Sequence, residues 1–219
     1  MSLPQITEEY ITQRLSEAFN NTVDELSILD DIPADLRPAA VLIPMFHVSE
    51  QDRLNHIWQV LFTRRTQAVA EHQGQVAFPG GRADPDDSSP EYTALREANE
   101  EIGLDPTQVR ILGRMNELRT ISNYCVTPVV GVIQWPFHVQ LQGIEVSRLF
   151  SIPLDWLADP AHHEIRNFPL PPAYAGLLHQ HERPVVYFET YDNELLWGVS
   201  AQITLNFIHT LENKKPAGS

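Results

Sequence analysis

Between residues 4 and 20 the apolar side chains Ile6, Tyr10, Ile11, Leu15 and Phe19 recur near one face of a 3.6-residue period, which predicts an amphipathic helix. The pattern breaks over residues 30–38, where proline and acid crowd together as a connector. Residues 40–46 form an apolar run that predicts a strand. Pro44 inside it predicts an edge position or a bulge, because proline has no N–H to give to a ladder. A loop is expected over 49–55 and a buried strand over 57–64. A short strand over 75–78 delivers the chain to a Pro79-Gly80-Gly81 turn.

Further along, strands are expected over 109–115 and 125–134, the second a continuous apolar run suited to the centre of a sheet. A strand over 145–152 leads into a short helix over 154–158. Residues 159–175 are rich in proline and carry His162-His163, so they predict a long surface loop. Segments 184–189 and 194–197 should pair as a hairpin around Asp192-Asn193. Ile203, Phe207 and Leu211 at helical spacing predict a last helix over 199–211, followed by a frayed tail. The order of elements predicts an α/β fold, an α/β/α sandwich around a mixed sheet. One domain over 36–212 is expected, with a helical extension over 1–35 and a disordered tail over 213–219.

The chemistry gathers in residues 80–104. Ser89 is suited to cap a helix, Pro90 to its first position, Glu91 to the positive end of the dipole, and Gly103 to its stop. At ~100° per residue, Glu97 and Glu101 lie ~40° apart and Glu100 ~60° to the other side. Ala94, Leu95, Ala98 and Ile102 form an apolar stripe beside them. One helix is thus expected to pack on a core and aim three carboxylates into one small volume. Like charges that close repel unless some protonate or a cation joins them. With Asp84, Asp86 and Asp87 in the preceding loop, the donors are hard oxygens, which suit Mg²⁺ or Mn²⁺. Asp84, Asp86 and Ser88 imitate the start of a calcium loop, but Ser89 and Leu95 stand where that loop needs glycine and glutamate.

Composition narrows the classes. A net charge of −14 makes nucleic acid and anionic membranes poor partners, so an anionic substrate would need a locally positive or metal-filled site. Cys125 is the single cysteine, so no internal disulfide can form, and the cytoplasm is the expected compartment. No apolar run is long enough to span a bilayer. The histidines at 162–163 and at 179 and 181 read as exposed loop residues, Cys125 as a buried strand residue, and Trp197 as core or an aromatic wall.

The run Arg96, Glu97, Glu100, Glu101, Gly103, Leu104, preceded by Gly80-Gly81 and a loop acid, resembles the signature of the Nudix hydrolase family. The loop acid is Asp87 where the family has glutamate, and it stands one residue farther from Arg96 than in the family pattern. Residues 61–66 (LFTRRT) and 74–81 (GQVAFPGG) upstream are similar to the coenzyme A diphosphatase subfamily. So are Thr127-Pro128, Glu145-Val146 and Trp197-Gly198 downstream. In one departure, Ala70 stands where that subfamily has an arginine.

The resemblance implies a Nudix-type sandwich and a metal-dependent diphosphatase acting on a small nucleotide derivative. Coenzyme A or its thioesters lead, with ADP-ribose or a dinucleotide as the alternative substrate. A binding module that does not cleave ranks last, because all three signature glutamates are present. Glu97 and Glu101 are implied metal ligands, Glu100 a third ligand or the base, and the Gly81 carbonyl a further ligand. Arg96 is expected to bond Asp87 and orient the loop. Glu145 is a candidate ligand or base. Arg65, with the Gly80-Gly81 turn, is a candidate substrate contact. The segment 159–180 is a candidate for substrate selection or for a subunit contact in a homodimer.

Overall fold

The computed structural model describes residues 6–20, 36–49, 56–66, 74–170 and 182–212. Expectations that fall on Ala70, on His179 and His181, and on the connector, loop and tail residues beyond those ranges lie outside the described residues.

The described residues form an α/β fold. Strands β1 (Arg37–Ser49), β2 (His56–Arg65), β3 (Val76–Ala77), β4 (Gly80–Arg82), β5 (Val109–Arg114), β6 (Leu118–Arg119), β7 (Tyr124–Ile133) and β8 (Val146–Pro153) make one mixed sheet. Its axis is a long parallel pair, β1 with β7, while the other pairings are antiparallel. Helices are α1 (Glu8–Asn20), α2 (Pro90–Ile102), α3 (Leu154–Ala158) and α4 (Gly198–Glu212).

Strand alternation decides which helix lies where. Ala40, Leu42 and Phe46 of β1, with Val129 of β7, pack with Ala94, Ala98 and Ile102 of α2. Ile43 and Met45, with Val130, face the opposite way and pack with α1, α3 and α4. The register matches: Leu42 pairs with Val129 and Ile43 with Val130. Two cores back to back on one sheet, with α2 on one side and α1, α3 and α4 on the other, make the sandwich. Helix α1 is part of it. Ile11 and Leu15 are fully buried, the Tyr10 hydroxyl donates to the Leu211 carbonyl at 2.6 Å, and Trp58 Nε1 donates to the Ile6 carbonyl at 2.8 Å.

Two expectations fail. Pro44 sits in the central strand, opposite Gly131 of β7, neither at an edge nor in a bulge. On the other side of β1, β4 covers Ala39–Val41 and β2 covers Met45–Ser49, so Pro44 falls in the gap between them. The Leu42 N–H points to that side, toward the Pro79 carbonyl at 2.8 Å. Two residues on, the N–H that Pro44 lacks would have met no strand.

The expected loop after residue 159 is also partly ordered structure. A 3₁₀ turn at Pro160–His162 leads into β9 (His163–Pro169), which pairs antiparallel with β10 (Glu182–Phe188). Nearly every β9 side chain is exposed, so no apolar alternation marked it in the chain. Its histidines are packed, not free. The His162 ring stacks on Trp156 at 4.3 Å, and His163 lies half-buried against Phe188, where burial lowers its pKa. The expected hairpin turn is present: Asp192 and Asn193 have φ of 50° and 63°, with bridges Tyr191–Glu194 and Tyr187–Trp197 around it.

Candidate active site

Helix α2 begins and ends where the local chemistry dictates. Ser89 Oγ accepts from the Tyr92 N–H at 3.2 Å, and Pro90 opens the first turn. Gly103 takes φ of 72° and returns its N–H to the Asn99 carbonyl at 2.9 Å, while Leu104 reaches Ala98. A side chain at Gly103 would stand 2.8 Å from Gln140 Cβ, so this end is also closely packed.

Arg96 organises the loop before the helix. Its Nε and Nη2 donate to the two Asp87 oxygens at 3.1 and 3.0 Å, a two-point grip, and Nη2 also reaches the Arg82 carbonyl at 3.1 Å. Asp87 takes further bonds from the Thr93 hydroxyl at 2.8 Å and the Asp84 N–H at 3.0 Å. The Arg96 guanidinium, ahead of the other contacts, pulls the Asp87 pKa down to about 2, and Asp87 in turn raises that of Arg96. The loop acid, although aspartate, is tied to the helix.

The three glutamates take different surroundings. Glu101 is buried, 3% exposed, and accepts from the Gly80 N–H at 3.2 Å, with Arg65 Nη1 3.9 Å away. Burial foremost, aided by Glu97 and Glu145, pushes its pKa up to about 8 against the pull of Gly80 and Arg65. Glu97 is partly buried and lies 2.9 Å from Arg96 Nη1; burial raises its pKa, with Arg96 opposing and Glu100 and Glu145 adding. Its carboxylate sits so close to Gly81 that a Cβ there would fall 2.6 Å from Glu97 Cδ. Glu100 is more than half exposed and leans on Arg96 at 3.3 Å.

The expected convergence of three carboxylates is therefore corrected. Among the described residues no three acidic, histidine or cysteine side chains come close enough to enclose an ion. Arg96 draws Glu97 and Glu100 to itself, while the Gly80 N–H and Arg65 hold Glu101. Glu97 and Glu101 flank the Gly80-Gly81 turn as the inner pair, with Glu145 near enough to act on both. The donor set fits a small hard cation: carboxylate oxygens, a glycine with no side chain in the way, and a buried acid whose charge lacks full compensation.

Arg65 Nε is buried without a hydrogen-bond partner, so the guanidinium has unused capacity beside that pair. Backbone ties missed at the sequence level complete the surroundings. The Thr66 N–H donates to the Glu145 carbonyl at 2.8 Å and the Gln142 N–H to the Glu101 carbonyl at 2.9 Å. No side-chain pattern announces such bonds. A cavity of about 100 Å³ between β6, β10 and the start of α4 is lined by none of the signature glutamates and is separate from this site. Cys125 is only partly buried; its thiol donates to Glu117 at 3.0 Å and is pushed up to about 12, first by burial.

Comparison with known proteins places the chain in a family. The NUDIX domain model matches residues 36–187. An uncharacterized Nudix hydrolase NudL from Yersinia pestis (strain Pestoides F) is 38% identical over 206 residues, covering 89% of this chain and 94% of its own. The NudL of Yersinia pseudotuberculosis serotype O:1b (strain IP 31758) matches to the same extent. Among solved structures, the Nudix hydrolase RenU from M. smegmatis is 24% identical with a TM-score of 0.45, over 65% of this chain and 81% of that one. With its signature helix, its glycine turn and this match over most of its length, the chain belongs to the Nudix hydrolase family.

Proposed function

We propose that the protein hydrolyses the diphosphate of coenzyme A or its thioesters, releasing 3′,5′-ADP and phosphopantetheine or its acyl form. The observation that carries the reading is the Glu97–Glu101 pair against Gly80-Gly81, with Arg65 Nη1 3.9 Å from Glu101. Glu97, Glu101 and the Gly81 carbonyl would hold Mg²⁺ or Mn²⁺, with Glu100 serving as a third carboxylate ligand or as the base. When bound, that ion lowers the pKa of water and neutralises charge on the diphosphate. Glu100, half in solvent, or Glu145 takes the proton from the attacking water. Arg65, whose Nε lacks a partner, grips a diphosphate oxygen, and Arg96 orients the loop through Asp87.

The choice of coenzyme A rests on residues 61–66 and 74–81, which resemble that subfamily; Ala70, between the two segments, departs from it. The test is incubation with coenzyme A, acetyl-coenzyme A, ADP-ribose and a dinucleotide, each with Mn²⁺, followed by mass spectrometry of products. Formation of 3′,5′-ADP from coenzyme A supports the reading. Cleavage of ADP-ribose or the dinucleotide alone would transfer the same chemistry to another nucleoside diphosphate. Unchanged turnover in both Glu100→Gln and Glu101→Gln would remove the assignment of roles.

A further inference from the structure

Strand β8 carries one residue more than its partner β2 requires. From Gln59–Pro153 to Arg64–Arg148 the two strands run in step; then Arg65 pairs with Val146 and Ser147 is left over. Such a bulge changes which face each following residue meets. Leu149 packs toward α2, so strict alternation would send Arg148 away, Ser147 toward α2 and Val146 away. The extra residue reverses this. Val146 is 1% exposed within the α2-side core, and Ser147 is in solvent.

The Ser147 hydroxyl holds the irregularity in place. It lies 3.1 Å from the Arg64 carbonyl and 3.4 Å from the Arg65 carbonyl, so it can donate to either side of the shift. Both neighbours of the bulge reach the site. Arg65 points its guanidinium at Glu101, and the next residue, Thr66, donates its N–H to the Glu145 carbonyl. A regular register would set Ser147 opposite Arg65 and move Val146 and Glu145 one residue along the strand.

We infer that Ser147 is a positioning residue, whose hydroxyl pins the β8 bulge that sets Arg65 and Glu145 against the Glu97–Glu101 pair. The inference rests on the reading of Arg65 and Glu145 as parts of the site. Its rival is an exposed serine with no consequence beyond its own solvation.

The experiment compares wild type, Ser147→Ala and Ser147→Thr in the full chain. It reads Mn²⁺ binding by calorimetry, hydrogen exchange at the Thr66 N–H, and kcat and KM on the diphosphate that wild type cleaves. Residues that support metal ligands typically contribute ~10–100-fold, so Ser147→Ala should bind Mn²⁺ and turn over ~10-fold less well. Thr66 exchange should accelerate, the melting temperature should change little, and Ser147→Thr should restore each quantity. Wild-type affinity, kcat and exchange in Ser147→Ala would overturn the inference, as would failure of threonine to rescue. A wild type that binds no Mn²⁺ would instead remove the site reading; exchange at Thr66 would then decide alone whether Ser147 holds the bulge.

Discussion

Replacing Gly81 by alanine isolates the position of one carboxylate. The added Cβ would stand 2.6 Å from Glu97 Cδ and 2.7 Å from each of its oxygens. Ordinary contact between such atoms is ~3.5 Å, so the carboxylate must withdraw by about 1 Å. Gly81 has no positive φ, so alanine fits its backbone, and the obstructing atoms end a side chain that can swing away. The fold should therefore lose little, within about 1 kcal/mol.

Function should lose much more. A displacement of ~1 Å in a positioning group costs on the order of 10²-fold in rate. The expected result is kcat down ~100-fold and weaker Mn²⁺ binding, with a melting temperature near wild type. Gly80→Ala supplies the contrast. There the Cβ would meet backbone, the Ala40 carbonyl at 2.5 Å and Val41 Cα at 2.6 Å, which cannot yield without opening the β1–β4 pairing. That variant should lose stability by ~1–3 kcal/mol. Steady-state kinetics, Mn²⁺ calorimetry and thermal melting on the pair settle the matter. If Gly81→Ala kept its rate and metal affinity within ~3-fold, the Glu97 carboxylate would not be working where it lies, and the reasoning would be wrong.

Three further outcomes are expected. Glu101 has a raised pKa, so the folded metal-free protein holds a proton that the unfolded chain releases near pH 4.5; its stability should fall as pH rises from about 4.5 to 8. Denaturation in chelator should show that slope in wild type and a flatter one in Glu101→Gln, while Mn²⁺ binding at pH 7 should release about one proton by calorimetry in two buffers. Asp87 behaves oppositely: its lowered pKa gives stability above its unfolded value, lost as pH falls toward 2. Asp87→Asn should remove about 1–2 kcal/mol at pH 6 and flatten the acid limb of urea unfolding. Ser89→Ala deletes the α2 cap and should lower stability by ~1 kcal/mol in the same assay, with smaller effects on kcat.

The parts of the molecule legible in the chain are those whose signals are local. Helix α2 was readable to within a residue because Ser89, Pro90 and Gly103 act on their own neighbours. Strand β7 was readable because a buried centre strand is apolar on both faces. Strand β9 was not, since exposed side chains carry no alternation. Pro44 misled because its tolerance depends on a gap between β4 and β2, two strands that come later in the chain. At the site, helical spacing gave the faces of Glu97, Glu100 and Glu101 but not their rotamers. Arg96 and Gly80 choose those through hydrogen bonds that spacing does not encode. The Ser147 bulge is a property of pairing with β2, so no single segment could reveal it.

The match to the family model stops at residues 36 and 187, yet the core does not. Ile11 and Leu15 before it, and Phe207, Ile208 and Leu211 after it, fill the face of the sheet opposite α2, at about 1.5–3 kcal/mol for each large side chain. A fragment trimmed to the recognised boundaries would lose α1 and α4 and uncover the apolar side chains they pack on. The catalytic cassette is thus not a portable part: whoever grafts or shortens this protein must carry both ends of the polypeptide along.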